Sequence, residues 1–100
     1  MFYTKLSKMP YAQAKVAVIN SATKQSTLIS YQTQVAHITK EGYLIVNGLY
    51  SATTRKHIGA YVQEYANTDY YTAKRCYKEN LVYHIGLKCF ISRETGEVIK

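Results

Sequence analysis

Residues 30–65, SYQTQVAHITKEGYLIVNGLYSATTRKHIGAYVQEY, decide the fold. They read as strand, tight turn, strand and capped helix. The alternation begins just before them, at Thr27, and runs to Ile38. Ile29, Tyr31, Thr33, Val35 and His37 fall on one side, and Leu28, Ser30, Gln32, Gln34, Ala36 and Ile38 on the other, the period-2 signature of one strand. The first set is β-branched or aromatic almost throughout, so it is the expected core face. Thr39-Lys40-Glu41-Gly42 closes a hairpin, with the glycine supplying a positive φ. Tyr43 to Tyr50 form the return strand, in which consecutive Leu44, Ile45 and Val46 suggest cover on both faces. Ser51 caps a helix through its hydroxyl. Thr54, Ile58, Tyr61, Val62 and Tyr65 form the stripe that lies on the sheet, and Asn67 marks the stop.

Outward from this unit the signals are shorter. Residues 1–12 are mixed and carry Pro10, so an extended or loosely packed arm is expected there. Lys15 to Ile19 is a short β-branched strand, and the polar loop Asn20 to Ser26 returns it antiparallel into the Thr27–Ile38 strand. The first half is thus a three-stranded meander followed by a helix. Thr68 or Asp69 caps a second helix with Tyr70, Ala73, Cys76 and Tyr77 on one face, ending at Asn80. Leu81 to Ile85 favours strand over a last helical turn. Leu87–Ser92 and Glu97–Ile99 form a closing hairpin around Arg93-Glu94-Thr95-Gly96. The expected fold is a single α+β domain over residues 1–100, an antiparallel meander of three or more strands with two helices on it and a C-terminal hairpin.

One hundred residues suffice for a core that stands without staples. Thirteen Lys and Arg against six Asp and Glu give a net charge of +7, which favours polyanionic partners or serves solubility alone. Two cysteines are too few for a disulfide scaffold. No apolar run is long enough for a secretory leader or a membrane span, so no membrane association is expected. The expected setting is reduced and cytoplasmic.

Catalytic patterns are missing. His37, His57, His84, Cys76 and Cys89 are the metal-ligand candidates, but no close Cys or His pairing presents two ligands on one turn, so no metal or cofactor is expected. Cys76 with His84 and Glu79 could form a nucleophile, base and orienting group in space, yet no nucleophile elbow or phosphate loop accompanies them. The expectation is not an enzyme. The aromatic balance says more: eleven Tyr stand against two Phe and no Trp. Tyr70, Tyr71, Lys74, Arg75, Tyr77 and Lys78 crowd one short helix. Tyrosine faces stack on bases while cations meet phosphates, and the same mixture suits a protein hot spot. Tyr61, Tyr65 and Tyr77 lie on apolar stripes and are read as core. Arg55, Lys56, Tyr71, Lys74, Arg75 and Lys78 are the candidate binding residues.

The core Tyr31-Gln32-Thr33-Gln34-Val35-Ala36-His37-Ile38, with Gly48-Leu49-Tyr50-Ser51-Ala52-Thr53-Thr54-Arg55-Lys56-His57-Ile58, resembles small uncharacterised proteins of phages and mobile elements in Gram-positive bacteria. The resemblance implies context rather than chemistry: accessory proteins of this origin act by binding nucleic acid or a host defence complex such as a CRISPR effector. The leading expectation is therefore a non-enzymatic binder of nucleic acid or of a host nucleoprotein effector, an anti-CRISPR-like inhibitor. The alternative is a homo-oligomeric structural or assembly protein that binds no nucleic acid.

Overall fold

A computed structural model of the chain describes residues 1–99. Eight strands form one antiparallel sheet in strict chain order: β1 (Phe2–Thr4), β2 (Ala14–Asn20), β3 (Gln25–Ser30), β4 (Thr33–Ile38), β5 (Tyr43–Val46), β6 (Leu81–His84), β7 (Cys89–Ser92) and β8 (Val98–Ile99). Two helices, α1 (Ala52–Tyr65) and α2 (Tyr70–Lys78), interrupt the meander between β5 and β6. They lie on one face of the sheet, α1 over β3 and β4 and α2 over β5 and β6. The fold is α+β, with the C-terminal hairpin in place. Gly42 and Gly96 take φ of 90° and 75° at the two turns where glycine was expected.

The single strand expected over Thr27–Ile38 is two strands. Ser30 pairs with Thr33, leaving Tyr31 and Gln32 as a two-residue turn in which Tyr31 takes φ 58°. The left-handed conformation costs a non-glycine residue about 1–2 kcal/mol. Here the Tyr31 amide donates to Gln13 O at 2.6 Å, and the ring lies 6.0 Å from that of His57. A turn of this length puts residues of opposite parity on the same face. The pairing then shifts once more, from Leu28 with Ala36 to Ile29 with Gln34, so Val35 is a bulge. The two parity changes cancel. That is why the alternation runs through a chain reversal without a break.

The expected core face of this region is also reversed. Ser26, Leu28, Ser30, Ala36 and Ile38 are buried under the helices, whereas Ile29 and His37 are half-buried on the other side and Tyr31 and Thr33 are exposed. Only Val35, carried inward by the bulge, is buried as expected. Polar partners on α1 decide the matter. Ser30 Oγ lies 2.9 Å from Thr54 Oγ1 and 2.8 Å from His57 Nδ1, and Ser26 Oγ lies 2.8 Å from Tyr61 Oη. Hydrogen-bonded serines can be buried at little cost, and they let the helix approach closely.

Two further expectations are corrected. Residues 1–12 are not a loose arm. Phe2–Thr4 pair with Val16–Val18, Leu6 is fully buried, and Ser7 donates from its amide and hydroxyl to the Glu64 carboxylate at 3.0 and 2.8 Å. The return strand ends at Val46 rather than Tyr50, and it alternates: Leu44 and Val46 are buried under the helices and Ile45 is half-buried opposite. The meander before α1 therefore has five strands. The main core lies between sheet and helices, where Val16, Leu28, Ile38 and Leu44 meet Ile58, Tyr61, Val62 and Cys76.

Candidate nucleic-acid interface

Each helix begins on the residue its sequence supplies. Ser51 Oγ accepts from the Thr54 amide at 3.2 Å, and Asp69 Oδ1 accepts from the Thr72 amide at 3.1 Å. Asn67 and Asn80 adopt φ of 52° and 55° just beyond the two helices. These ends fix the rotation of both. On α1 the inner stripe is Thr54, His57, Ile58, Tyr61 and Val62, which turns Arg55, Lys56 and Gly59 outward. On α2 Ala73 and Cys76 face in, which turns Tyr71 and Lys74 out.

Between the helices lies an open cleft of about 460 Å³ lined by Arg55, Lys56, Gly59, Tyr70, Tyr71 and Lys74. Four of the six candidate residues thus come together. The cleft has an aromatic wall, since the Tyr70 and Tyr71 rings meet edge-on with centroids 6.0 Å apart, and Tyr71 is 74% exposed. Its floor is low because Gly59 has no side chain. A Cβ there would come within 3.5 Å of Tyr70 Cβ, an ordinary contact, and anything longer would rise into the cleft.

Arg75 and Lys78 do not line this cleft. Arg75 Nε pairs with Glu79 Oε2 at 3.2 Å, the one salt bridge among the described residues, and its guanidinium sits 4.3 Å over the Phe90 ring. Lys78 is exposed at the end of α2. On the helical layer the carboxylates are engaged elsewhere: Glu64 with Ser7, Asp69 at the cap, Glu79 with Arg75. Neither helix has an acidic residue in its first turn. Arg55, Lys56 and Lys74 therefore present their charge to solvent without a paired carboxylate among the described residues.

Gly59 is a cleft residue that the sequence reading overlooked, and Tyr70 is one it noticed in the tyrosine cluster without including it among the binding candidates. An isolated glycine inside a helical pattern costs about 1 kcal/mol relative to alanine, and that anomaly was the available signal. Tyr70, grouped in the sequence with Ala73, Cys76 and Tyr77 on one helix face, is half-buried and lines the cleft. Tyr61 and Tyr65 do belong to the core or its margin, whereas Tyr77 is 45% exposed.

The arrangement of the other reactive groups is unhelpful to catalysis. Cys76 is buried on the inner side of α2, and burial pushes its thiol up to about 12 against the opposing pull of Arg75 and Arg93. A thiol so placed is a poor nucleophile. His84 lies on the far side of the sheet, where its Nδ1 accepts from the Leu87 amide at 2.9 Å and its ring meets Tyr43 edge-on. Among the described residues no three His, Cys, Asp or Glu side chains cluster as a metal site would require. No helix among the described residues is long and apolar enough to cross a membrane.

Residues 4–79 match the model of a family of unknown function, DUF8033. The chain belongs to that family. The matched span contains both helices and every residue of the cleft, and it stops before β6. Comparisons with curated proteins and with solved structures give no match.

Proposed function

We propose that this DUF8033 protein is a non-enzymatic binder of single-stranded nucleic acid, and that the strand lies in the cleft between α1 and α2. The observation that carries the reading is the convergence of three uncompensated cations with an exposed tyrosine around one open depression. Arg55, Lys56 and Lys74 line it and can meet phosphates, and the Tyr71 ring offers a stacking platform to an unpaired base. Stacking on an aromatic side chain is worth about 1–3 kcal/mol per base. A cleft with a tyrosine wall suits a flexible strand with accessible base faces better than a duplex, whose bases are stacked inside. In the setting implied by the resemblance to phage and mobile-element proteins, the strand would belong to a host nucleoprotein of the CRISPR type and occupancy would inhibit it.

Fluorescence anisotropy with a labelled oligonucleotide tests the binding. Tyr71→Ala is expected to weaken affinity roughly 5- to 150-fold, the range that the loss of one stacked base implies. Unchanged affinity in Tyr71→Ala would remove the stacking role. A pull-down from a bacterial lysate, split into nuclease-treated and untreated halves, separates the targets. Recovery of a defined effector complex after nuclease treatment would place the contact on protein instead of nucleic acid.

A further inference from the structure

Among the described residues, no element lies over the face of the sheet turned away from the helices. Its side chains follow from the register: Tyr3, Ala17, Thr27, His37 and Ile45 stand in one row across β1 to β5, and Val82, Ile91 and Val98 continue across β6 to β8. Where one face of an antiparallel sheet meets water, its outward positions are normally polar. Here most are isoleucine, valine, alanine, threonine and tyrosine, with Lys15, Gln34, His37 and His84 among them, and Ile19 and Val98 are about half exposed. Among all eight strands the one formally charged side chain is Lys15. Burial, assisted by Arg93, also lowers the pKa of His37 at the middle of the row and so favours its neutral form.

We infer that two copies of the chain associate through this face, sheet against sheet, with the helices on the outside. Charge selects a second copy over other occupants. The chain carries +7, yet the uncovered face contributes almost none of it, so apposing two such faces keeps the cations on the outer surfaces. A lipid surface would require basic residues around the apolar patch, and only Lys15 and Arg93 stand there. Lys15 Nζ is held 4.7 Å over the Tyr3 ring near the β1 edge, and Arg93 follows β7 and borders the depression beside Tyr43 and Ile45. Size agrees. The molecule is a slab of 38 × 30 × 19 Å, and its broad face exceeds the roughly 800 Å² per partner of a standard specific interface. A depression of about 290 Å³ between Ile45 and the Val82–Ile91 pair offers a socket for an apolar side chain of the other copy. The dimer stands apart from the proposed nucleic-acid binding; if both hold, each dimer presents two clefts on opposite outer faces.

Sedimentation equilibrium of the full chain tests the association. The expected mass is twice 11.4 kDa. Ile45→Lys and, separately, Ile29→Lys should give the monomer mass with an unchanged circular dichroism spectrum, while a Lys56→Glu/Lys74→Glu double variant on the opposite side stays dimeric. A monomer mass for the unmodified chain at about 100 μM, far above the Kd of a stable dimer, would overturn the inference, as would a folded Ile45→Lys that remains dimeric. Hydroxyl-radical footprinting of the unmodified chain needs no variant to fold. Labelling of Tyr43 and Ile45 should fall as concentration rises while that of Tyr71 stays constant, and equal labelling throughout would overturn the inference.

Discussion

Gly59 and Tyr71 face the same cleft, and their roles can be separated because glycine is chosen for what it leaves open. Gly59→Ala places a methyl in ordinary contact with Tyr70 and removes the conformational freedom of a mid-helix glycine. It should stabilise the protein by about 1 kcal/mol, measured by urea unfolding, with little change in binding. Gly59→Leu keeps the helix but fills the cleft, and oligonucleotide affinity should fall about tenfold or more, some 1.4 kcal/mol. A Gly59→Leu protein that binds normally would show that the strand lies elsewhere. His57 makes a second prediction at this scale. It is buried, with its Nδ1 against Ser30, and burial lowers its pKa below the ordinary value of 6.5. The unfolded chain therefore binds the proton more readily, so stability is fully present above about pH 6.5 and is lost as pH falls toward the folded value. The melting temperature should be lower at about pH 5.5 than at pH 7.5, and His57→Gln should flatten the slope. A slope unchanged in His57→Gln would assign the acid sensitivity to another group.

At the scale of elements, the helices were legible and the first sheet half was not. Ser51, Asp69, Asn67 and Asn80 are local signals read by local hydrogen bonds and φ angles, and each does in the structure what its chemistry suggests. Asp69→Ala should therefore cost about 1 kcal/mol, seen as a lower denaturation midpoint, and should weaken binding because α2 carries Tyr71 and Lys74. Normal binding with the full stability loss would mean that the first turn of α2 does not set the cleft. The β3–β4 region misled because two irregularities compensate. A two-residue turn at Tyr31-Gln32 and a bulge at Val35 together restore the original parity, and neither carries the Asn-Gly or Asp-Gly signature by which such turns are recognised. The core face misled for another reason. β-branched residues normally point inward, but Ile29 and Thr27 point away from the helices while Ser26 and Ser30 point toward them. Serine wins those positions by hydrogen bonding to α1, a long-range fact that no local pattern contains. The apolar residues left outside are the ones for which a second sheet provides cover.

At the scale of the molecule, charge is partitioned by layer. The strands are almost free of formal charge, and the helices and turns carry the excess. Composition foretold a basic surface, and the crowding of Tyr70, Tyr71 and Lys74 with Arg55 and Lys56 required only that two helices pack side by side. What composition could not assign was Arg75, whose neighbours Glu79 and Phe90 turn it away from the cleft. The central claim is that the cleft binds a strand electrostatically as well as by stacking. A salt titration of oligonucleotide binding, comparing the unmodified chain with Lys56→Glu/Lys74→Glu, tests it most directly. Three phosphate contacts on a single strand imply a logarithmic slope of about −2, so affinity should fall roughly 20-fold between about 50 and 200 mM salt. The double variant should lose most of both the affinity and the slope. Equal affinity and equal slope in the two proteins, with the variant folded, would contradict the assignment of the cleft as the binding site.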